Sequence, residues 1–291
     1  MTRIRVFGRW AGWLAVVCAG LLTVCASGPR PATSTPTLDD LQSEVMRRGA
    51  LRVATDANYP PFSFVAQNGE LDGFDAQVAR ELGQRLGVKV QFLTPDWDTV
   101  YAGNWQEVWD VHIGSMPVSA ETDARFDLSR PYYYIPAVFV VPDGSPINDP
   151  NNLNGQLICA TQNSIEEDYL RGNGPDLGGL PVQFAAQQVT PVLMAAELDC
   201  PQGWAAGRTD YAGWLTTPLA LRNAQNAGLR LRALGSPAYY RGFALAADAR
   251  APRDTRRLLE ALSAFLDDMR RDGTLRSLST DWFGQDFSVG P

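Results

Sequence analysis

The sequence predicts an α/β protein in which short apolar strands alternate with amphipathic helices. Three observations predict it. Phe74, Val78, Leu82 and Leu86 recur every four residues and draw one apolar stripe along a helix, which Gly87 ends. Compact apolar runs, Leu51 to Thr55 and Val88 to Leu93, lie on either side of that helix as strands. A second and longer stripe, Leu258, Leu259, Leu262, Phe265, Leu266 and Met269, has Asp254 before it as a cap and Gly273 after it as a stop. Alternation of this kind produces a parallel or mixed sheet with helices on its faces. A length of 291 residues, nearly half of them apolar, suits two modest α/β lobes or one large domain and argues against wholesale disorder.

The chain opens with an export pattern. Arg3, Arg5 and Arg9 precede an apolar run from Ala11 to Val24, too short to span a bilayer as a mature helix and of the length of a signal peptide. Val24, Cys25 and Ala26 fit the small-residue rule for cleavage before Ser27, so residues 1–26 are read as the signal peptide. Leu22 to Cys25 half resembles a lipoprotein box, with bulky Val24 where a small residue is wanted. Residues 27–40, with Pro29 to Pro36 at their centre, are too poor in apolar groups to pack and form a tether or a frayed mature N-terminus. The expected location is therefore the periplasm or the outer face of the cytoplasmic membrane, with lipidation at Cys25 left open.

Past the tether, Thr37 is the expected N-cap of a first helix, with Asp40 three residues on and Gly49 closing it. After the strand and helix already named, Val111 to Met116 and Tyr134 to Val141 read as strands. A second set follows Pro142. Gln156 to Ala160 is a strand, Ser164 to Arg171 a helix, and Gly172 to Pro181 a Gly/Pro-rich turn. Val192, Ala195 and Ala196 are placed in a helix, Asp210 to Leu215 in a strand, Phe243 to Ala247 in another, and Leu275 to Phe283 in a closing amphipathic segment. There is no internal repeat and no charge run.

Two bulk properties narrow the function. A net charge of −7 argues against nucleic acid, whose phosphates need clustered Lys and Arg. Cys18 and Cys25 fall inside the signal, which leaves Cys159 and Cys200 as an even pair in an oxidising compartment. One disulfide is expected, with two buried thiols as the alternative.

Several short stretches then carry a resemblance. Leu51 to Phe64 reads LRVATDANYPPFSF and is followed by Gly73-Phe74-Asp75, Gly114-Ser115-Met116 and Leu128-Ser129-Arg130-Pro131-Tyr132-Tyr133. Gly207-Arg208-Thr209-Asp210, Asp272-Gly273-Thr274-Leu275 and Asp281-Trp282-Phe283-Gly284 come later. In this order they resemble the family 3 solute-binding proteins, the polar amino-acid receptors of ABC importers, from about Leu41 to Phe287. The resemblance implies a two-lobed, periplasmic-binding-protein-like fold with two hinge crossovers. Lobe 1 would comprise 41–135 and 238–291, and lobe 2 136–237. It also implies a monomer without a cofactor, a small-molecule solute in the cleft, a membrane permease as partner, and hinge closure on the ligand.

The resemblance and the chemistry of the side chains select the binding residues. Asp56 and Tyr59 follow the first strand, where a carboxylate and an aromatic ring can meet an ammonium and cover an aliphatic chain. Turn chemistry is the alternative for both. Trp97 holds the aromatic-platform position, though a core tryptophan would look the same. Gly114 admits close approach to the backbone and Ser115 offers a hydroxyl. From lobe 2, Thr161, Asn163 and Ser164 precede a helix whose amides can receive a carboxylate, while Ser164 with Glu167 also fits a simple capping box. Trp214 is expected beside the ligand.

Two departures from the family pattern bear on ligand class. The positions where an Arg usually grips the ligand's α-carboxylate are Pro117 and Thr122, with Arg125 further on, and the position of the Asp that usually holds the α-amino group is Leu215. Two other functions remain in view. One is an enzyme on the same fold, of the cyclohexadienyl dehydratase kind. Against it, His112, the single histidine, sits in an apolar strand as a core residue would, Glu166 and Glu167 read as solvated, and no catalytic or metal cluster is present. The other is a stand-alone ligand sensor, which would be expected to continue into a membrane helix and signalling domain beyond Pro291.

Overall fold

The computed structural model describes residues 40–182 and 184–291. The expected signal peptide, the tether up to Asp39 and the cap at Thr37 lie outside the described residues.

Helix α1 (Leu41–Arg48) begins at Asp40, whose carboxylate accepts the Ser43 amide at 2.8 Å, and ends at Gly49 in the left-handed conformation. Strand β1 (Ala50–Ala54) follows, then a small antiparallel sheet of β2 (Asn58–Tyr59), β3 (Ser63–Val65) and β4 (Leu71–Asp72). Helix α2 (Phe74–Leu86), β5 (Lys89–Leu93), α3 (Trp97–Ala102), β6 (Val111–Pro117), α4 (Ala120–Asp123), β7 (Phe126–Leu128) and β8 (Tyr133–Pro142) complete the first pass. A second pass contains β9 (Leu157–Thr161), α5 (Ile165–Leu170), β10 (Thr190–Met194), α6 (Asp199–Ala205), β11 (Gly213–Thr216) and α7 (Pro218–Asn226). The chain returns through β12 (Leu231–Asp248) to α8 (Arg256–Arg271) and α9 (Thr274–Phe283).

The strands form one curled path in the order β10-β9-β11-β8-β12-β6-β1-β5, with β7 alongside β12. At one end β1 runs parallel to β5 and β6, and at the other β9 runs parallel to β10 and β11. Between these parallel sets lie β8 and β12, antiparallel to each other from Tyr133–Phe243 to Pro142–Leu231, with a register shift between Leu234 and Tyr239. The buried core divides at the same place. Two apolar clusters draw on residues between Leu41 and Tyr133 and between Phe243 and Phe287, while two others draw on residues between Ala137 and Tyr239. The fold is thus two-lobed, and β8 and β12 carry the chain between the lobes.

The helix expected around Val192 is a strand. Val192 pairs with Cys159 in the parallel ladder of β10 and β9, and the helix begins only at Asp199. The four-residue spacing from Val192 to Ala196 is too short to fix a period, and the ladder with β9 decides the conformation. Strand β12 starts well before the expected Phe243, since Gly235, Ser236 and Pro237 hide its continuity at the register shift. Asp254 does receive the Arg256 amide, at 3.0 Å, although Thr255 occupies the cap position of α8.

Candidate functional site

Parallel strands within each lobe present their C-terminal ends to one edge, where open α/β sheets place their ligands. In the first lobe that edge follows β1, β5 and β6. A cavity of about 270 Å³ opens there, lined by Asp56, Tyr59, Trp97, Gly114, Ser115, Pro117, Arg241 and Phe243. The structure therefore brings together Asp56, Tyr59, Trp97, Gly114 and Ser115 as the sequence predicts, and adds two residues of the crossover strand β12.

Each lining residue is held by local chemistry. Asp56 accepts the Asn58 amide at 2.7 Å, so its turn role and its place on the cavity coexist. Tyr59 is 47% exposed and stacks on Phe62 with ring centres 4.8 Å apart, which fixes one face and leaves the other to the cavity. Trp97 is 42% exposed at the start of α3, stacked on Tyr101 at 5.7 Å and edge-on to His112 at 5.7 Å. Neither aromatic is a core residue, and both present area that a solute can cover. At Gly114 a Cβ would lie 2.7 Å from the His112 ring, so close packing of the imidazole also requires glycine there.

Ser115 departs from its expected role. Its backbone is left-handed (φ 64), and its hydroxyl turns inward to donate to Asp75 at 2.9 Å rather than towards the cavity. The Ser115 amide donates to the Tyr132 hydroxyl at 3.2 Å, and that hydroxyl donates to Asp75 at 2.5 Å. Asp75 is wholly buried in the first turn of α2. Desolvation pushes its carboxyl up to about 7, against the hydrogen bonds from Tyr132 and Ser115 that favour the charged form. The nearby His112 is equally buried, and desolvation takes its imidazole down to about 3, so it is neutral. It lies in the core as the sequence predicts.

The second lobe offers a different edge. Thr161 ends β9, and Ser164 caps α5 by accepting the Glu167 amide at 3.2 Å while donating to the Thr161 carbonyl at 2.7 Å. Glu167 reaches back to the Asn163 amide at 2.7 Å, one residue short of a capping box, and pairs with Arg171 at 2.8 Å. Thr161, Asn163 and Ser164 thus sit at the expected strand and helix ends but do not line the cavity. Trp214 is corrected outright. It is wholly buried in a core cluster with Cys159 and Cys200, because strand alternation turns it to the opposite face of the sheet from Leu215. Cys159 and Cys200 form a disulfide that ties β9 to α6.

Sequence reasoning missed two charged residues. Arg241, on β12 opposite Ile135, lies 5.4 Å from the centre of the Phe243 ring and makes no hydrogen bond or ion pair among the described residues. A lone Arg inside the apolar run from Tyr239 to Phe243 is the signal that could have found it. Glu197, past the end of β10, accepts the Thr216 hydroxyl at 3.1 Å. It is exposed at the cleft yet hemmed in by protein, and desolvation first, then the charge of Glu166, raises its carboxyl above the usual range. Arg125 is spent elsewhere, paired with Glu121 at 3.1 Å and lying over the Tyr101 ring. Thr122 is buried in the cap of α4.

Comparisons with known proteins agree with this geometry. Residues 51–285 match the bacterial extracellular solute-binding proteins, family 3. The L-cystine-binding protein TcyJ of Escherichia coli is 28% identical over 250 residues, covering 85% of this chain and 88% of that protein. The L-cystine-binding protein TcyA of Bacillus subtilis is 24% identical over 278 residues, 94% of this chain and 96% of its own. Among solved structures, an ancestral cationic amino acid solute-binding protein superposes with a TM-score of 0.61 at 26% identity, covering 83% of this chain and 99% of that one. The L-cystine solute receptor of Neisseria gonorrhoeae, in its unliganded open conformation, gives 0.69 at 24% identity over 86% and 99% of the two chains, a likeness of fold.

Proposed function

The chain belongs to the bacterial extracellular solute-binding proteins, family 3, and on that premise we propose that it receives an amino acid or a close analogue between its lobes and delivers it to an ABC importer. The observation that carries this reading is the cavity at the C-terminal ends of β1, β5 and β6, where two exposed aromatic faces, a carboxylate and a guanidinium converge. A flat or aliphatic body would lie against Tyr59 and Trp97, with polar groups reaching the charges. Lobe 1 is taken as 41–135 and 238–291 and lobe 2 as 136–237, with closure by bending of β8 and β12. Closure would carry Thr161, Asn163 and Ser164 towards the ligand. The partner is a membrane permease, the protein works as a monomer, and Cys25 is the candidate anchor. Among the described residues no helix is long and apolar enough to cross a membrane.

The reading is of a binder rather than a catalyst, since the named relatives are binding proteins. Mass spectrometry of solute released from freshly purified, denatured protein tests it, supported by thermal-shift screening of the common L-amino acids and L-cystine. An amino acid released, or one that raises the melting temperature at micromolar concentration, is the expected result. Absence of both overturns the ligand class, and turnover of any hit removes the receptor reading.

A further inference from the structure

The first lobe's cavity contains one cation and the second lobe's facing edge contains carboxylates, and neither is neutralised by the protein. Arg241 sits in the cavity wall, laid over Phe243, and among the described residues it has no hydrogen-bond acceptor and no carboxylate partner. A guanidinium is always charged and carries five donors in a plane that matches a carboxylate. Leaving all of them to solvent beside the exposed faces of Tyr59 and Trp97 sets it apart from Arg85, Arg208 and Arg256, each of which pairs with a carboxylate.

Across the cleft, β9, β10 and β11 run parallel, so the residues that follow them share one edge. Glu197 follows β10 and Thr216 ends β11, and the hydrogen bond between them holds one carboxylate oxygen of Glu197 and leaves the other available. Glu166 on α5 accepts the Tyr239 hydroxyl at 3.0 Å, on the same strand as Arg241 and two residues before it. No basic side chain among the described residues pairs with Glu197 or Glu166. Arg241 lines the cavity together with Tyr59, and the Glu197 carboxylate is near enough for its charge to push the Tyr59 phenol up.

We propose that Arg241 and Glu197 form a relocated ionic clamp, Arg241 gripping the ligand's carboxylate from the crossover strand and Glu197, oriented by Thr216, receiving its ammonium from the second lobe. The proposal rests on the receptor reading above and names the residues that select a zwitterion. It removes the difficulty raised by Thr122 and Leu215. Thr122 is committed to the cap of α4, and Leu215 is buried one residue before Thr216, but the two charges reappear within β12, at Arg241, and past the end of β10, at Glu197. Because the clamp spans both lobes, with its cation on a strand that carries the chain between them, a zwitterion would bridge the cleft and favour closure.

The test uses the mature protein and the tightest-binding member of the panel of common L-amino acids and L-cystine, measured by calorimetry. Arg241→Gln and Glu197→Gln are each expected to weaken that amino acid about 10- to 100-fold, the scale of a lost charge-assisted contact. Analogues locate the two ends. The carboxamide of the same amino acid should bind wild-type protein and Arg241→Gln with similar weakness, and the N-acetyl derivative should do the same for Glu197→Gln. Unchanged melting temperature and near-ultraviolet circular dichroism show that the variants are folded. If wild-type protein binds a panel member and either variant retains its full affinity, the clamp is overturned while the receptor stands. Equal penalties for both analogues on a given variant also overturn it, since the loss would then be structural. Binding of no panel member by wild-type protein overturns the amino-acid ligand class, and the clamp with it.

Discussion

Helices α2 and α8 lay continuous apolar faces on the sheet of the first lobe, with α9 beside them, and the core there includes Phe74, Leu82, Leu262, Leu266 and Phe283, all wholly buried. Among the described residues the α-helices of the second lobe, α5, α6 and α7, are all short, and the stretch between α5 and β10 is largely irregular. Its core gathers Trp214, Tyr169 and Phe139 in two smaller clusters, and the Cys159–Cys200 disulfide passes through one of them. The difference teaches how one chain stabilises two similar architectures by separate means. Long amphipathic helices bury enough apolar area to hold a lobe by themselves. Short helices with Gly and Pro in them, such as α6 with Pro201 and Gly203, bury less, and a cross-link that restricts the unfolded chain offsets the deficit.

The largest expected effect breaks the comparison at the disulfide. Replacing Cys159 and Cys200 together by Ala should cost about 4 kcal/mol on the chain-entropy account of loop closure. Urea unfolding followed by tryptophan fluorescence should show the second lobe, with Trp204 and Trp214, melting before the first. A single cooperative transition with unchanged midpoint would mean that the cross-link adds nothing. The matching lesion in the first lobe is Leu262→Ala, expected to cost about 3 kcal/mol by transfer loss and cavity formation. Its effect should be the same whether the disulfide is intact or reduced, because the two sites share no contacts.

A third test concerns pH, and it sharpens the comparison because both groups lie in the first lobe. Asp75 holds its proton more tightly in the folded state, its carboxyl rising from 3.8 to about 7. Its contribution is full below about pH 4 and is lost as pH rises through 7. His112 runs the other way. Its imidazole falls from 6.5 to about 3, so its contribution is present above pH 6.5 and is lost as pH falls towards 3. Over the shared window the slopes oppose, and wild-type stability should be nearly flat. Asp75→Asn should leave a protein that loses stability on acidification, and His112→Gln one that loses stability on neutralisation, each on the order of 2 kcal/mol. Parallel melting curves for both variants across this range would contradict the burial of these groups as charged-state penalties.

The smallest effects separate cavity from core. Trp97→Ala and Tyr59→Ala should each weaken ligand binding about tenfold, near 1.4 kcal/mol, with little change in stability. Trp214→Phe should do the reverse, lowering stability while leaving affinity intact, since Trp214 is buried away from the cleft. Arg125→Ala should alter binding by less than about 0.5 kcal/mol, its guanidinium being paired with Glu121 on the surface. Calorimetry and thermal melts on the four variants give both readouts.

The amino-acid sequence by itself determined the elements whose pattern is local. The stripe of Phe74, Val78, Leu82 and Leu86 specifies α2 because helix period and capping glycine lie within one window. The apolar runs of β1, β5 and β6 and the stripe of α8 were legible for the same reason, and the leftover cysteine pair raised a disulfide against two buried thiols, which the structure decides for the disulfide. Tertiary structure alone decided where side chains point and which strands meet. Val192 became a strand residue because β9 supplied a ladder from more than thirty residues away, beyond any local period. Ser115 turned inward because Asp75 and Tyr132, buried behind it, needed its hydroxyl and amide. Trp214 went to the core and Arg241 to the cavity because alternation along a strand fixes opposite faces, whereas the packing of the lobes determines which face is core and which is cleft.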